Sequence, residues 1–309
     1  MNFSKKVSII IPCYNEEKVL HQFYDELKKE LPEDYNYEIL FVNDGSKDDT
    51  LKIIKELNKK AEVVNYISFS RNFGHQNALK AGYDFATGDC AISMDADLQH
   101  PPQFISSLLK KWEEGFDIVN TIREDHKSIS KRKKFSSRLF YLFINRLSDV
   151  EIGQGMADFR LLDRKVLDQL KLFTENFIFF RGIVPWIGFK QVNIPYQAAE
   201  RIAGETKYTF RKMLHFASAG VTSFSVRPLR YSIYLGLIFA SFAFLYVIYA
   251  LFAFLFTDQT ITGWTSLIVS VMFFGGVNLI MLGIIGEYLG KLFIENKRRP
   301  NYLIEESSL

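Results

Sequence analysis

The stretch VSIIIPCYNEEKVLHQFYDELKKEL, residues 7–31, decides the fold. Its first six residues are a β-branched apolar run, too short for a helix and bounded by Pro12 and Asn15, and they read as a buried strand. From Glu17 the pattern changes to a period of 3.6, with Val19, Leu20, Phe23, Leu27 and Leu31 on one side, so a helix follows. The alternation then recurs: strand 37–43, helix 47–60, strand 63–69, helix 74–86, strand 90–94, helix 102–114 and strand 116–122. Strands that alternate with crossover helices predict an α/β domain with a mainly parallel sheet wrapped by helices.

Ligands of such sheets bind beyond the carboxyl ends of the strands. Tyr14, Asn15 and Glu16 follow the first strand, Asp44, Gly45 and Ser46 the second, and Ser70 and Arg71 the third. Asp95 and Asp97, in SMDADLQHPP (93–102), follow the fourth. Turn chemistry explains any one of these groups, and Asp44 or Ser46 would serve as a helix cap. It does not explain four of them on one edge. Two neighbouring carboxylates raise the cost of ionising each other, a cost that a divalent cation between them relieves. A capped helix start before Pro101 and Pro102 accounts for one acid and leaves the other unpaired. There is no P-loop and no full GxGxxG, the nearest approach being GQG at 153–155, so ATPase and dinucleotide readings lose support.

With 38 Lys and Arg against 35 Asp and Glu, the net charge of +3 is too small to indicate a nucleic-acid partner. Cys13 and Cys90 sit inside apolar strand runs and read as buried small hydrophobes. They suggest no disulfide framework or zinc site, and the histidines lack ligand spacing. Pro12 and the acidic pair after the first apolar run are wrong for a signal peptide, which leaves the α/β part on the cytoplasmic side.

Residues 231–256 carry no charge, and 264–289 carry only Glu287, in the last turn. Each run is long enough as a helix to cross a hydrocarbon core of ~30 Å. The connection TDQTITG lacks Lys and Arg, whereas Arg227 and Arg230 precede the first run and Lys291, Lys297, Arg298 and Arg299 follow the second. The positive-inside rule then puts both ends in the cytoplasm, as a multi-pass protein of the plasma membrane. Gly286 and Gly290, at GxxxG spacing, suggest a packing face within the pair or between subunits of a homo-oligomer. Residues 208–226 read as an amphipathic helix at the interface. The expected division is an α/β domain at 1–207, a juxtamembrane segment at 208–229, membrane helices within 230–290 and a cytoplasmic tail at 291–309.

The segments IIPCYNEE, VNDGSKDDT, RNFGHQNALKAGYDFATGD, MDADLQHPP, GMADFRLLDRKV and RIAGETKY, in this order and followed by two apolar spans, resemble the polyprenyl-phosphate glycosyltransferases of glycosyltransferase family 2. That group includes bactoprenol glucosyltransferases and dolichol-phosphate mannose synthases. The resemblance covers nearly the whole chain. It implies a Rossmann-like GT-A fold, a nucleotide-sugar donor, Mg²⁺ or Mn²⁺, a polyprenyl phosphate acceptor such as undecaprenyl phosphate, and inversion at the anomeric carbon.

The resemblance also implies roles. Asp97 would be a direct metal ligand central to catalysis, Asp95 a ligand or ribose contact, and Gln99 a neutral oxygen ligand. Hard oxygens suit these ions, and a metal on the diphosphate stabilises the leaving group. Pro12, Tyr14, Asn15, Glu16 and Asp44 look like the nucleotide pocket, with Ala96 on the same donor side; Tyr14 fits a core position nearly as well. Arg71 and Lys80 would meet donor phosphates while Asn77 orients the sugar, although an exposed helix face competes for Lys80. Asp158 is the candidate base. The second pKa of a phosphate monoester is ~6, so the acceptor is already largely ionised at neutral pH. Asp158 is therefore expected mainly to position hydroxyls, and Asp158→Asn to lose less activity at high pH than at low. Arg123, Arg138, Arg201 and Lys207 are candidates for the acceptor phosphate. The basic, aromatic run at 131–147 suits an anionic membrane surface.

A processive polysaccharide synthase would share the early motifs, but no Arg-Trp pair occurs for its QxxRW signature. A non-catalytic membrane scaffold is the alternative from another class, and Asp95, Asp97 and Asp158 argue against it. UDP-glucose is the expected donor, with UDP-galactose, a UDP-N-acetylhexosamine and GDP-mannose left open.

Overall fold

The apolar run at 7–12 becomes the centre of an eight-stranded sheet in the computed structural model, which describes residues 5–124, 146, 155–176, 178–197, 225–256 and 263–309. In chain order the α/β part comprises β1 (Lys6–Cys13), α1 (Leu20–Glu30), β2 (Asn36–Asn43), α2 (Thr50–Lys60), β3 (Val64–Phe69), α3 (His75–Phe85) and β4 (Cys90–Ser93). A single 3₁₀ turn, Pro102–Phe104, leads into α4 (Ile105–Glu113) and β5 (Ile118–Glu124). Then come β6 (Met156–Asp163), α5 (Arg164–Leu170), α6 (Phe180–Trp186) and β7 (Gln191–Gln197). Two long helices, α7 (Arg227–Phe256) and α8 (Trp264–Asn296), precede a last short strand, β8 (Ile304–Ser307).

Strand order across the sheet is β7-β5-β6-β4-β1-β2-β3-β8. β1 pairs in parallel with β2 and β4, β2 with β3, and β5 with β7. The mainly parallel sheet read from the alternation is present. Two antiparallel insertions go beyond it: β6 lies between β4 and β5, and β8 adds to the outer edge of β3.

Both faces of the central strands are buried, which is why they are written as continuous apolar runs rather than alternating ones. Ile9, Ile11, Phe41 and Ile92 meet Phe23, Leu27, Ile54 and Leu108 on one face. Ile10 and Ala91 meet Leu79, Tyr83 and Val166 on the other. Helix α3 lies so close on β1 that a Cβ at Gly82 would fall 2.1 Å from Ile10 Cγ2. That approach fixes the N-terminal turn of α3 at the carboxyl edge of the sheet.

Helices α7 and α8 contain 30 and 33 residues, about 45 and 50 Å at the α-helical rise. Both are long and apolar enough to cross a membrane, and their large apolar side chains are largely exposed. Each outlasts the run read from sequence: α7 starts at Arg227, and α8 continues past Leu289 to Asn296. Tyr288 Oη donates to the Ser225 carbonyl at 2.7 Å, so the start of α7 and the end of α8 lie side by side. Phe239 packs edge-on against Phe273 and Phe274 between the two helices. A Cβ on Gly286 or Gly290 would meet nothing within 4 Å, so that face is not used within the described pair.

The end of the segment expected as a cytoplasmic tail is fastened to the sheet. Tyr302 stacks on Phe69 at 4.9 Å and donates to Asp84 at 2.9 Å; Ser70 N–H donates to the Leu303 carbonyl, and Lys55 pairs with Glu306 at 2.6 Å. Arg138, Arg201, Lys207, most of the run at 131–147 and nearly all of the interfacial helix read at 208–226 lie outside the described residues.

Candidate active site

A cleft of about 920 Å³ opens at the carboxyl edge of β1, β2 and β4, walled by the first turn of α3, by β6 and by the segment entering α6. Pro12, Tyr14, Glu16, Asp44, Asn77, Asp95, Ala96, Asp97, Gln99, Arg123 and Asp158 all line it, as the sequence reading brought them together. Tyr14 is 42% exposed and belongs to the wall of the cleft, not to the core.

Asn15, Arg71 and Lys80 are not among the lining residues. Asn15 takes a left-handed conformation, φ 58°, and fastens the loops after β1 and β2: its N–H donates to Ser46 Oγ at 3.0 Å, and its Oδ1 accepts from Lys47 N–H at 2.9 Å. The Arg71 guanidinium lies over the Phe73 ring at 4.0 Å. Lys80 is on neither an exposed face nor the cleft: it is buried and paired with Asp84, the acid that also receives Tyr302.

Asp44 takes its hydrogen bonds from backbone, with His75 and Arg71 as nearby charges. Its carboxylate accepts N–H bonds from Phe73 at 2.6 Å and Gly74 at 3.0 Å. Gly45, at φ 62°, permits this contact, because a Cβ there would lie 2.3 Å from the carbonyl carbon of Arg71. Neither Asp44 nor Ser46 caps α2; the Thr50 N–H at its start is received by Asp48 at 3.1 Å. Burial pushes the Asp44 carboxyl above the usual carboxylate range, and the two backbone N–H bonds offset only part of that rise.

The paired acids of SMDADLQHPP sit on a tight turn. Leu98 adopts φ 59°, a costly conformation for a branched apolar side chain. Asp97 Oδ1 accepts the Gln99 N–H at 3.1 Å, and the Asp95 N–H donates to His100 Nδ1 at 2.9 Å. The His100 ring is stacked on Phe159 at 5.0 Å, which fixes the turn against β6. The Asp95 carboxylate lies 3.6 Å from His75 Nε2, so both acids have partners where the sequence left one without. Gln99 Oε1 accepts from Arg123 at 3.2 Å. Among the described residues no group of three or more His, Cys, Asp or Glu forms a closed cage. Two partly exposed carboxylates on a cleft wall fit a hard divalent ion that takes the rest of its oxygens from a ligand.

Asp158, on β6, is buried and saturated. Arg160 reaches its Oδ1 at 3.1 Å, Arg181 its Oδ2 at 3.0 Å, and Gln76 Nε2 its Oδ2 at 3.3 Å; His75 Nε2 stands 3.7 Å away. Arg160 is itself fully buried and also donates to the carbonyls of Ala157 and Phe180. Gln76 Oε1 accepts the Phe180 N–H at 3.0 Å, so one amide ties α3, β6 and α6 together. Burial raises the proton affinity of Asp158, but Arg181, Arg160 and His75 together outweigh it and hold the carboxyl well below its usual range. A carboxylate with so little proton affinity is a weak base and a fixed negative charge. The lowered proton affinity works against the proton uptake on which the pH dependence expected of Asp158→Asn rests.

His75, Gln76, Arg160 and Arg181 are the residues that sequence reasoning passed over. The first three lie within segments that were singled out, FGHQN and ADFRL. Arg181, in FFRG, carried no signal.

An α/β domain whose carboxyl-edge cleft gathers acids and guanidinium groups, joined to two helices long and apolar enough to cross a membrane, is the arrangement expected of a membrane-associated glycosyltransferase with a GT-A-like fold. Residues 8–171 match the family model Glycosyl transferase family 2, and the chain belongs to that family. It is 45% identical to "Uncharacterized glycosyltransferase YkcC" of Bacillus subtilis over 97% of this chain and 93% of that one. It is 41% identical to the prophage bactoprenol glucosyl transferase homolog of Escherichia coli, over 97% and 98% of the two chains. Identity is again 41% to the bactoprenol glucosyl transferase of Shigella phage SfII, over 98% of each.

Proposed function

We propose that the protein transfers a hexose from a nucleotide sugar, with inversion, to polyprenyl phosphate at the cytoplasmic face of the plasma membrane. The observation that carries this reading is the place of the cleft: Asn176, on its rim, is hydrogen-bonded through both its backbone and its side chain to Glu295, in the last turn of α8. A lipid headgroup leaving the bilayer beside α8 is thereby next to the acids. The near full-length similarity to bactoprenol glucosyl transferases supports the same acceptor.

In this reading Pro12, Tyr14, Glu16 and Asp44 hold the nucleoside, with Ala96 beside it, and Asn77 orients the sugar. Asp95 and Asp97, with Gln99, would hold Mg²⁺ or Mn²⁺, which when bound neutralises charge on the departing diphosphate. The acceptor phosphate, largely ionised at neutral pH, needs little proton removal. Its oxygen bonds to the anomeric carbon as the bond to the diphosphate breaks on the opposite face. Asp158, fixed as an anion, orients hydroxyls of the sugar and keeps Arg181 in place. Arg181 and Arg123 draw phosphate oxygens into the cleft, and Arg138, Arg201 and Lys207 are proposed for the lipid phosphate. The Lys and Arg residues flanking α7 and α8 favour both chain ends on the cytoplasmic side.

UDP-glucose is the favoured donor. Purified protein in vesicles with undecaprenyl phosphate, tested against UDP-glucose, UDP-galactose, a UDP-N-acetylhexosamine and GDP-mannose, should form a lipid-linked hexose best with UDP-glucose. EDTA should abolish the product, and Mg²⁺ or Mn²⁺ restore it. A lipid-linked sugar from none of the four would favour the non-catalytic scaffold.

A further inference from the structure

Helix α8 is about 20 Å longer than a hydrocarbon core requires, and its last turn reaches the α/β domain. Glu295 lies there. Its Oε2 accepts two hydrogen bonds from one residue, the Asn176 backbone N–H at 3.0 Å and the Asn176 Nδ2 at 3.2 Å. Four residues on, Phe180 is bound at its N–H by Gln76 and at its carbonyl by Arg160, both partners of Asp158, and Arg181 then reaches Asp158 itself. Asn176, Ile178, Phe179 and Arg181 line the cleft and form a strap with two anchors, one at the buried acid and one on the long helix α8. The helix end is fixed in turn, because the chain after it is bound to the sheet through Tyr302 and β8.

We propose that Glu295 is a positioning residue for transfer: by holding Asn176 it sets the strap, and with it Arg181, at the mouth through which a lipid phosphate enters. This rests on the reading of the cleft as a lipid-phosphate acceptor site. Glu295 acts on the cleft through its two hydrogen bonds to Asn176. Charge-assisted bonds of this kind are the stronger class. Asn176 keeps amide capacity beyond its bond to Glu295, since the group carries two N–H donors and a carbonyl.

The test compares wild type, Glu295→Gln and Glu295→Ala in vesicles of phosphatidylethanolamine and phosphatidylglycerol, with UDP-glucose and undecaprenyl phosphate. Loss of two bonds to a charged acceptor is expected to raise the acceptor KM of Glu295→Ala roughly tenfold. Its donor KM and melting temperature should stay at the wild-type values. Glu295→Gln keeps an oxygen for both N–H groups and should restore the acceptor KM. Hydrogen exchange over residues 171–179, measured without substrates, should quicken in Glu295→Ala and not in Glu295→Gln. An unchanged acceptor KM in Glu295→Ala overturns the proposal, as does a parallel rise in both KM values with a falling melting temperature, the mark of a merely structural contact. If wild type glycosylates no polyprenyl phosphate, the acceptor reading fails by itself. Exchange then decides the strap, and equal rates in all three proteins overturn it.

Discussion

Two acids lie buried in one cleft, Asp44 at 3% exposure and Asp158 at 5%, yet their proton affinities move in opposite directions. Asp44 is met by backbone N–H dipoles, with His75 and Arg71 as weaker charges nearby, and burial prevails. Asp158 is met by two guanidinium groups, and charge prevails. Burial sets the cost of ionisation, and the partners decide whether it is overcome. The Asp44 side of the cleft is thus held mainly by dipoles and the Asp158 side by compensated charge, so the two should respond differently when an acid becomes an amide.

The largest difference should appear in Asp158→Asn. It leaves the fully buried Arg160 without its counter-charge, and breaking a buried pair costs about 3 kcal/mol or more. Denaturant titration of the detergent-solubilised variant measures this; a loss under about 1 kcal/mol would erase the contrast. Next is Arg181→Gln. Arg181 is partly exposed, so its stability cost is at most about 1 kcal/mol, while turnover should fall roughly tenfold for a lost charged contact in the cleft. Asp44→Asn comes third. An amide oxygen still accepts the Phe73 and Gly74 N–H groups, so stability should hold within about 1 kcal/mol while donor KM rises roughly tenfold. A stability loss equal to that of Asp158→Asn would show the two sides to be alike.

The smallest effect is in pH. The raised carboxyl of Asp44 contributes stability that is fully present below the unfolded value of about 3.9 and is lost as pH rises through its folded value. The depressed carboxyl of Asp158 contributes above about 3.9 and is lost only as pH falls through its folded value. As pH falls through the folded value of Asp44 toward the unfolded value of about 3.9, wild type should therefore gain a small increment in melting temperature that Asp44→Asn lacks. No such gain should be traceable to Asp158.

The parallel half of this contrast was legible in the sequence. β1 to β4 were written as short apolar runs between amphipathic helices, and their carboxyl ends named Tyr14, Asp44, Asp95 and Asp97 directly. The other half depends on pairings between distant residues. Met156–Asp163 was recognisable as a motif, but nothing local says that it enters the sheet antiparallel between β4 and β5. Nor does anything local say that Ile304–Ser307 will find the edge of β3. Arg160 and Lys80 illustrate the same limit. Each has its acid close in sequence, Asp158 two residues before Arg160 and Asp84 four after Lys80, yet both charges look like surface residues, because only the tertiary fold buries them. Arg181 was invisible for a further reason: its partner lies 23 residues away on another element.

The most direct test of the charge-held side is the pH profile of turnover for wild type and Asp158→Asn, with saturating donor and lipid phosphate, from pH 6 to 9. An Asp158 held as an anion by Arg160 and Arg181 gives a ratio of the two rates that stays level across the range. A ratio that closes as pH rises would show that Asp158 takes a proton from the acceptor, contradicting its place as a fixed charge.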